Sequence, residues 1–335
     1  MTTHDEAPPP PRGVRPDPAE PAWSYARTQK DLAVDELIDI HFHRPIAYAL
    51  LRQWEHRSWR PTPNQFTLTG GAFGLLAAAV AMVAAPGSLL WPLASLLMFV
   101  ATVLDCCDGM MARLTGQASN RGMLLDGMID FIVGVSFWLA MSIRTAPDWG
   151  IWTIPAALSI VLSILIHCGL YDHMRIRFGV LVNPPAPAPA VATPPRASEP
   201  SEPTATGPGE RFLDGFYAFA QAFYEVTYTN ISRICIGVEP SSPRPAVHPD
   251  FARQLFAGPM RMASYLGLST QLFLMYMATA LALWDLNLPF QIALWSMVVG
   301  LNVWAVLVVS AWRRAESLIA GIADLGETGE ARAHD

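Results

Sequence analysis

The chain has 335 residues, 52% of them hydrophobic and only 15% charged, with a formal net charge of −6 at pH 7. A soluble domain carries roughly a quarter charged residues, so this deficit, with a mean hydropathy of +0.29, points to a membrane. The acidic balance argues against a nucleic-acid partner, which selects a basic face, and four cysteines, two of them adjacent, do not make a disulfide framework.

Residues 1–30 are polar and Pro-rich without the apolar core of a signal peptide, and are expected to be disordered. Residues 31–60 mix Leu, Ile and Ala with charges, which predicts an amphipathic helix on the membrane interface, broken or kinked at Pro45. On that helix His41, His43 and Arg44 fall at headgroup level, a placement the interface alone explains.

A helix needs about 20 mostly apolar residues to cross the hydrocarbon core. Six stretches qualify: roughly Phe66–Ala85, Leu89–Leu104 and onward, Gly122–Ile143, Ile151–Tyr171, Met262–Leu283 and Pro289–Val309. The fold class expected is therefore all-α, a polytopic membrane protein of six transmembrane helices with a cytoplasmic interfacial N-terminal helix. Residues 61–182 would hold the first four spans, and 211–312 a second interfacial helix and the last two. Between them, residues 183–210 form a Pro/Ala linker that cannot pack a core, and 313–335 read as a tail. Arginines collect on one side (Arg52, Arg57, Arg60, Arg113, Arg121, Arg175, Arg177, Arg253, Arg261, Arg313 and Arg314), which marks that side as cytoplasmic. Both termini and the loop after the second span fall there, in a plasma membrane of bacterial type.

Where the second span ends, the chain reads LDCCDGMMAR, Leu104 to Arg113. Asp105 and Asp108 are three apart and share a helix face; Asp126 and Asp130 are four apart, with Gly122 one turn back on the same stripe. The eight residues between Arg113 and Gly122 let the two helices pack antiparallel with their acids facing. Clustered carboxylates at membrane depth cost about 2.5–3.5 kcal/mol each at mid-bilayer, so something positive must offset them. Hard oxygen ligands suit Mg²⁺ or Mn²⁺, and carboxylates around two ions are a recurrent phosphoryl-transfer device. Gly109 and Ala112 leave room beside the acids, and Arg113 offers a planar donor fork for phosphate. Cys106 and Cys107, turned about 100° and 200° from Asp105, read as spacers, since no C-x-x-C or Cys/His cluster is visible.

The string Asp105-x2-Asp108-Gly109-x2-Ala112-Arg113-x8-Gly122-x3-Asp126-x3-Asp130 resembles the signature of the CDP-alcohol phosphotransferase family at every fixed position. The opening TPNQFT, Thr62 to Thr67, is similar to that family's entry into its first span, and the resemblance covers about residues 60–180 and 255–312. It implies an integral-membrane enzyme of phospholipid synthesis that moves a substituted phosphate from a CDP-linked donor, CDP-diacylglycerol in the leading reading, to an alcohol with release of CMP. It further implies that Asp105, Asp108 and Asp126 ligate two divalent ions and that Asp130 helps hold the second and acts as general base. Gly109, Ala112 and Arg113 would line the cytidine and diphosphate site, Gly122 would allow close helix approach, and a homodimer is implied by the resemblance alone. Further nucleotide or acceptor contacts fall on Asn64, Thr67, His173, Arg175 and Arg177.

The segment Asp126-Gly-Met-Ile-Asp130 follows none of the family's acceptor-specific variants, so the alcohol stays open. The donor could instead be a soluble CDP-alcohol, with a lipid or polyol-phosphate as acceptor. Two other classes compete. A Mg²⁺-dependent intramembrane prenyltransferase would want a second acidic motif in residues 172–335, and a cation-binding transporter leaves Gly109, Ala112 and Arg113 unexplained.

Overall fold

Backbone amides have no water partner in a bilayer, so long apolar runs must satisfy them internally. The computed structural model describes residues 23–183, 208–226, 230, 232–242, 247–282 and 287–333, and it is helical with no strand among them. Most of the Pro-rich tail and of the linker expected at 183–210, and part of the link before residue 287, lie outside the described residues.

The chain opens with a single turn, α1 (Tyr25–Thr28), then a π-helical turn, Asp39–His43, that runs into α2 (Arg44–Leu51). Four long helices follow: α3 (Pro63–Val83), α4 (Leu90–Thr115), α5 (Asn120–Trp149) and α6 (Thr153–Val182). After the linker come α7 (Pro208–Tyr224), the short α8 (Ser232–Ile236), α9 (Pro249–Ala263), α10 (Leu268–Leu281), α11 (Asn287–Trp295) and α12 (Leu301–Ala333), the last two joined by a π-helical turn at Ser296–Gly300.

Five helices are long and apolar enough to cross a membrane: 63–83, 90–115, 120–147, 150–182 and 288–322. The span expected at Met262–Leu283 is interrupted. α9 ends at Ala263, a 3₁₀ turn covers Ser264–Leu266, and Gly267 is extended with ψ 162°, so α10 starts afresh at Leu268. Its 14 residues reach about 21 Å, short of the roughly 30 Å of hydrocarbon. Of the tail expected at 313–335, residues 313–333 continue α12, whose Glu316 is buried.

α3 wedges between α4 and α5 through a face of small residues. A Cβ on Gly70 would lie 3.2 Å from the Ala101 carbonyl, one on Gly71 2.6 Å from Ile129 Cγ2, and one on Gly74 2.4 Å from Val133 Cγ1. Lipid tails give no hydrophobic incentive for helices to associate, so such close backbone approach supplies the attraction. Below this wedge, Ala77 and Ala81 of α3, Trp91 and Met98 of α4, and Phe137 and Met141 of α5 form one core with Leu272 and Met275 of α10. At the far end of α4, Gly116 adopts φ +68°, the left-handed C-cap that lets the chain turn back, and Ser119 caps α5 by accepting from Gly122 N at 3.0 Å. This turn folds α5 back so that its acids face those of α4, with α3 packed against both.

The N-terminal segment departs from the interfacial helix expected of it. Asp35, Glu36, Asp39, His43 and Arg44 are all buried, so its charged stripe faces inward. Pro45 does not end the helix, because its missing donor falls where the π turn hands over to α2. The stripe meets polar partners on α10: Glu36 accepts from Ser269 N, Thr270 N and Thr270 Oγ1, and Asp39 accepts from Ser269 Oγ. Gly267 has no side chain to cap α10, and a Cβ there would fall 2.1 Å from the Glu36 carboxylate, which does the capping instead.

Candidate active site

Ligand oxygens of Asp105, Asp108 and Asp126 all lie within 4.8 Å of one another. Asp105 also faces Asp130, and both line a cavity between α3, α4, α5 and α10. The helical offsets of three and four that put each pair on one face are thus combined across the antiparallel turn into a single cradle.

Each acid is held differently. Asp108 is buried and accepts a hydrogen bond from Thr67 Oγ1 at 2.6 Å, which fixes its rotamer from α3. Asp105, Asp126 and Asp130 keep partial exposure, Asp105 and Asp130 on the cavity wall. Oδ1 of Asp126 is buried with no hydrogen-bond partner among the described residues. An orphaned carboxylate oxygen beside two further acids is a costly arrangement that a divalent ion would satisfy, and the all-oxygen donor set suits Mg²⁺ or Mn²⁺.

The other signature residues take up positions around this cradle. Arg113 lies across Gly109, its Nη1 3.4 Å from where a Cβ would stand, and its Nε donates to Thr28 O at 2.6 Å. Gly109 therefore makes room for the guanidinium itself. Ala112, partly exposed, belongs to the last turn of α4, its carbonyl accepting from Gln117 N. A Cβ on Gly122 would stand 3.3 Å from Asn64 Oδ1, so this glycine lets the starts of α3 and α5 meet. Thr62 and Gln65 form a capping box, with Pro63 in the first turn of α3, which is the physical content of TPNQFT.

The three residues expected at the end of α6 separate. Arg177 is buried in an ion pair with Glu316 of α12, at 2.9 Å from Nε, and also donates to Ser242 O. It is a clamp between helices. His173 is buried within α6. Arg175 pairs with Asp172, which also accepts from the Tyr224 hydroxyl of α7, and lies 5.9 Å over the Tyr171 ring.

Cys107 is buried in an apolar cluster with Ala47, Leu51 and Met111, as a spacer should be. Cys106 has closer company than its sequence neighbours suggest, since Asp39 and His43 come within reach of its sulfur. Both ring nitrogens of His43 are engaged, Nδ1 with Asp39 at 2.9 Å and Nε2 with the Tyr276 hydroxyl at 3.0 Å. The group is a closed hydrogen-bonded network beside the cradle. Reading the sequence missed it because its polar stripe, Asp35, Glu36, Asp39 and His43, has the same spacing as a solvated helix face. The available signal was the complement: Ser269 and Thr270 at the start, and Tyr276 about two turns further on, of a largely apolar helix.

The membrane-length helices α3, α4 and α5, with the shorter α10, thus enclose an acidic group whose oxygens could hold a divalent ion. Residues 60–189 match the family model for CDP-alcohol phosphatidyltransferase, which covers less than half of the chain. That family moves a phosphate group from a CDP-alcohol to an acceptor in lipid synthesis, and it uses divalent metal. Over 143 residues the chain is 28% identical to a protein of Thermococcus kodakarensis, a bifunctional IPC transferase and DIPP synthase. The match covers 43% of this chain and 30% of that protein, so the chain spans less than a third of the length of the relative it resembles.

Proposed function

We propose that the chain transfers a substituted phosphate from a CDP-linked donor to an alcohol acceptor, releasing CMP, at the cradle of Asp105, Asp108, Asp126 and Asp130. The observation that carries this reading is the convergence of three carboxylates within 4.8 Å, with Asp130 against Asp105 on an open cavity. Asp105, Asp108 and Asp126 would hold the divalent ions, with Asp130 assisting. When bound, such ions neutralise the diphosphate and the departing CMP.

The chain's own groups do the positioning. Thr67 keeps Asp108 aimed at its neighbours, and the Thr28 carbonyl fixes Arg113 so that its Nη atoms lie along Gly109 for a donor phosphate. Asp130 takes the proton as the acceptor hydroxyl attacks the β-phosphorus. A new P–O ester bond forms, the bond to the CMP oxygen breaks, and CMP leaves. The cavity walls beyond the acids are mostly apolar, with Met98, Val133 and Leu272 beside the hydroxyls of Thr67, Thr102 and Ser269. That lining supports a lipid-linked donor such as CDP-diacylglycerol over a soluble CDP-alcohol. The arginine-rich end of the bundle is taken as cytoplasmic, by the charge asymmetry of the links.

The experiment is CMP release by the purified full chain with Mg²⁺ or Mn²⁺ against CDP-diacylglycerol and soluble CDP-alcohols. The expected result is metal-dependent CMP release with the lipid donor, lost in Asp126→Asn. No CMP from any donor and acceptor pair, together with unchanged behaviour of Asp130→Asn, sinks the reading.

A further inference from the structure

Asp39, His43 and Cys106 come together from two elements that no spacing in the sequence connects. Asp39 and His43 stand at the two ends of the π turn, a kind of turn that recurs at functional sites, and Cys106 lies on α4 between Asp105 and Asp108. One donor atom from each of the three lies within 4.8 Å of the other two. Asp39 and His43 are buried, and Cys106 is partly so. The structure thus brings to Cys106 the histidine partner that its own stretch of sequence lacks.

The donors are oriented as metal ligands are. His43 Nδ1 faces Asp39 Oδ1 at 2.9 Å, and the far side of each group is anchored on α10. The Tyr276 hydroxyl meets His43 Nε2 at 3.0 Å, and Ser269 Oγ donates to Asp39 Oδ2 at 3.0 Å. Metal-bound imidazoles and carboxylates are held by outer partners of this kind. Bonds of about 2.0–2.1 Å to N and O and about 2.3 Å to S set tetrahedral donors about 3.3–3.6 Å apart, so small shifts close the group on an ion. With Nδ1 bound to the ion, the imidazole carries its proton on Nε2 and donates it to Tyr276, and the one proton released is that of the thiol. The donor set differs in kind from the cradle: oxygen alone suits Mg²⁺ or Mn²⁺, whereas thiolate, imidazole and carboxylate suit Zn²⁺. A Cys106 thiolate and the Asp39 carboxylate neutralise a dication, which a buried site requires. Arg44, in electrostatic reach of both, is already paired with Asp35 at 2.8 Å, and Asp105 lies in reach of Asp39.

We propose that Asp39, His43 and Cys106 form a second metal site, selective for Zn²⁺ over Mg²⁺, that staples the N-terminal segment to α4 beside the cradle. Three protein ligands and a water complete its tetrahedron. Asp39 and His43 lie outside the matched residues 60–189, so the site is a feature of this chain and not of the match. It stands whether or not the cradle transfers phosphate.

The test is a metal titration of the full chain in detergent, stripped with a chelator and then held in excess Mg²⁺ to occupy the cradle. Added Co²⁺ should give a thiolate-to-metal charge-transfer absorption with the intense visible bands of a tetrahedral site, and Zn²⁺ should then bleach both. Cys106→Ser should abolish the charge-transfer band, while Cys107→Ser and Asp126→Asn should keep it. His43→Gln should weaken Zn²⁺ by more than about hundredfold, and Tyr276→Phe by about tenfold, the size of an outer-partner effect. A wild-type chain that shows no thiolate charge-transfer band overturns the proposal without recourse to any variant. A band that survives Cys106→Ser, or that is lost in Cys107→Ser or Asp126→Asn, places the ion elsewhere and overturns it too. Equal Zn²⁺ affinity in His43→Gln has the same consequence.

Discussion

Thr67 and Glu36 show how single side chains govern this site from outside the acid motif. The Thr67 hydroxyl donates to Asp108 at 2.6 Å, and in the proposed function it would be an outer partner to a metal-ligating carboxylate. Partners of that kind are worth roughly 10- to 100-fold in metal affinity. Thr67→Val should therefore shift the Mn²⁺ dependence of CMP release by about tenfold or more with little change at saturating metal, read from a metal titration. Glu36 offers a pH signature. Burial, then the Asp39 carboxylate, push it up to about 8 against the hydrogen bonds from Ser269 and Thr270. The folded chain thus keeps a proton that the unfolded chain releases near 4.5, so this contribution is full below that pH and is lost as pH rises through about 8. Thermal stability in detergent should fall between about pH 4.5 and about pH 8 in the wild type, and Glu36→Gln should flatten that fall.

At the scale of elements, α3 and α10 carry the most specific packing. Val133 is β-branched and cannot swing away from the 2.4 Å contact that a Cβ on Gly74 would make. Gly74→Ala should cost about 1–3 kcal/mol as overpacking, seen as a lower melting temperature, and should part the helices that bring Asp105 and Asp130 together. Gly267→Ala meets the Glu36 carboxylate at 2.1 Å and would uncap α10. Helix existence here was legible in the residues: apolar length announced α3 to α6, whose ends the structure places at the Thr62 and Ser119 caps and at Gly116. The fate of 262–283 was not legible. Its apolar content is ample for a span, and the break at Ser264–Gly267 coincides with the docking of Glu36, far away in the chain.

Across the whole molecule, the N-terminal segment and the long α12 tie the bundle together at the end that bears the site. Arg113, Tyr171 and Arg261, from α4, α6 and α9, all donate to backbone carbonyls between Thr28 and Asp35. The Arg177–Glu316 pair joins α6 to α12. Removing one partner of a buried ion pair costs about 3–5 kcal/mol, whereas replacing both by apolar groups is often near neutral. Glu316→Ala should therefore lower the melting temperature markedly, and Arg177→Met with Glu316→Leu should recover most of the loss.

The sequence by itself determined the helical class, the membrane-length runs and the identity of the acidic cradle, because apolar length and three- and four-residue spacings act locally along the chain. It also made the family visible, since the motif from Asp105 to Asp130 is continuous in one turn of helix, loop and helix. Tertiary structure alone decided which way the Asp35–Arg44 stripe faces and that Arg177 is a clamp. A polar face has the same periodicity whether it meets water or the polar start of another helix, and only packing chooses between them. For the adjacent cysteines of LDCCDGMMAR the same logic divides two neighbours: Cys107 fills an apolar core, and Cys106 borders the His43 network.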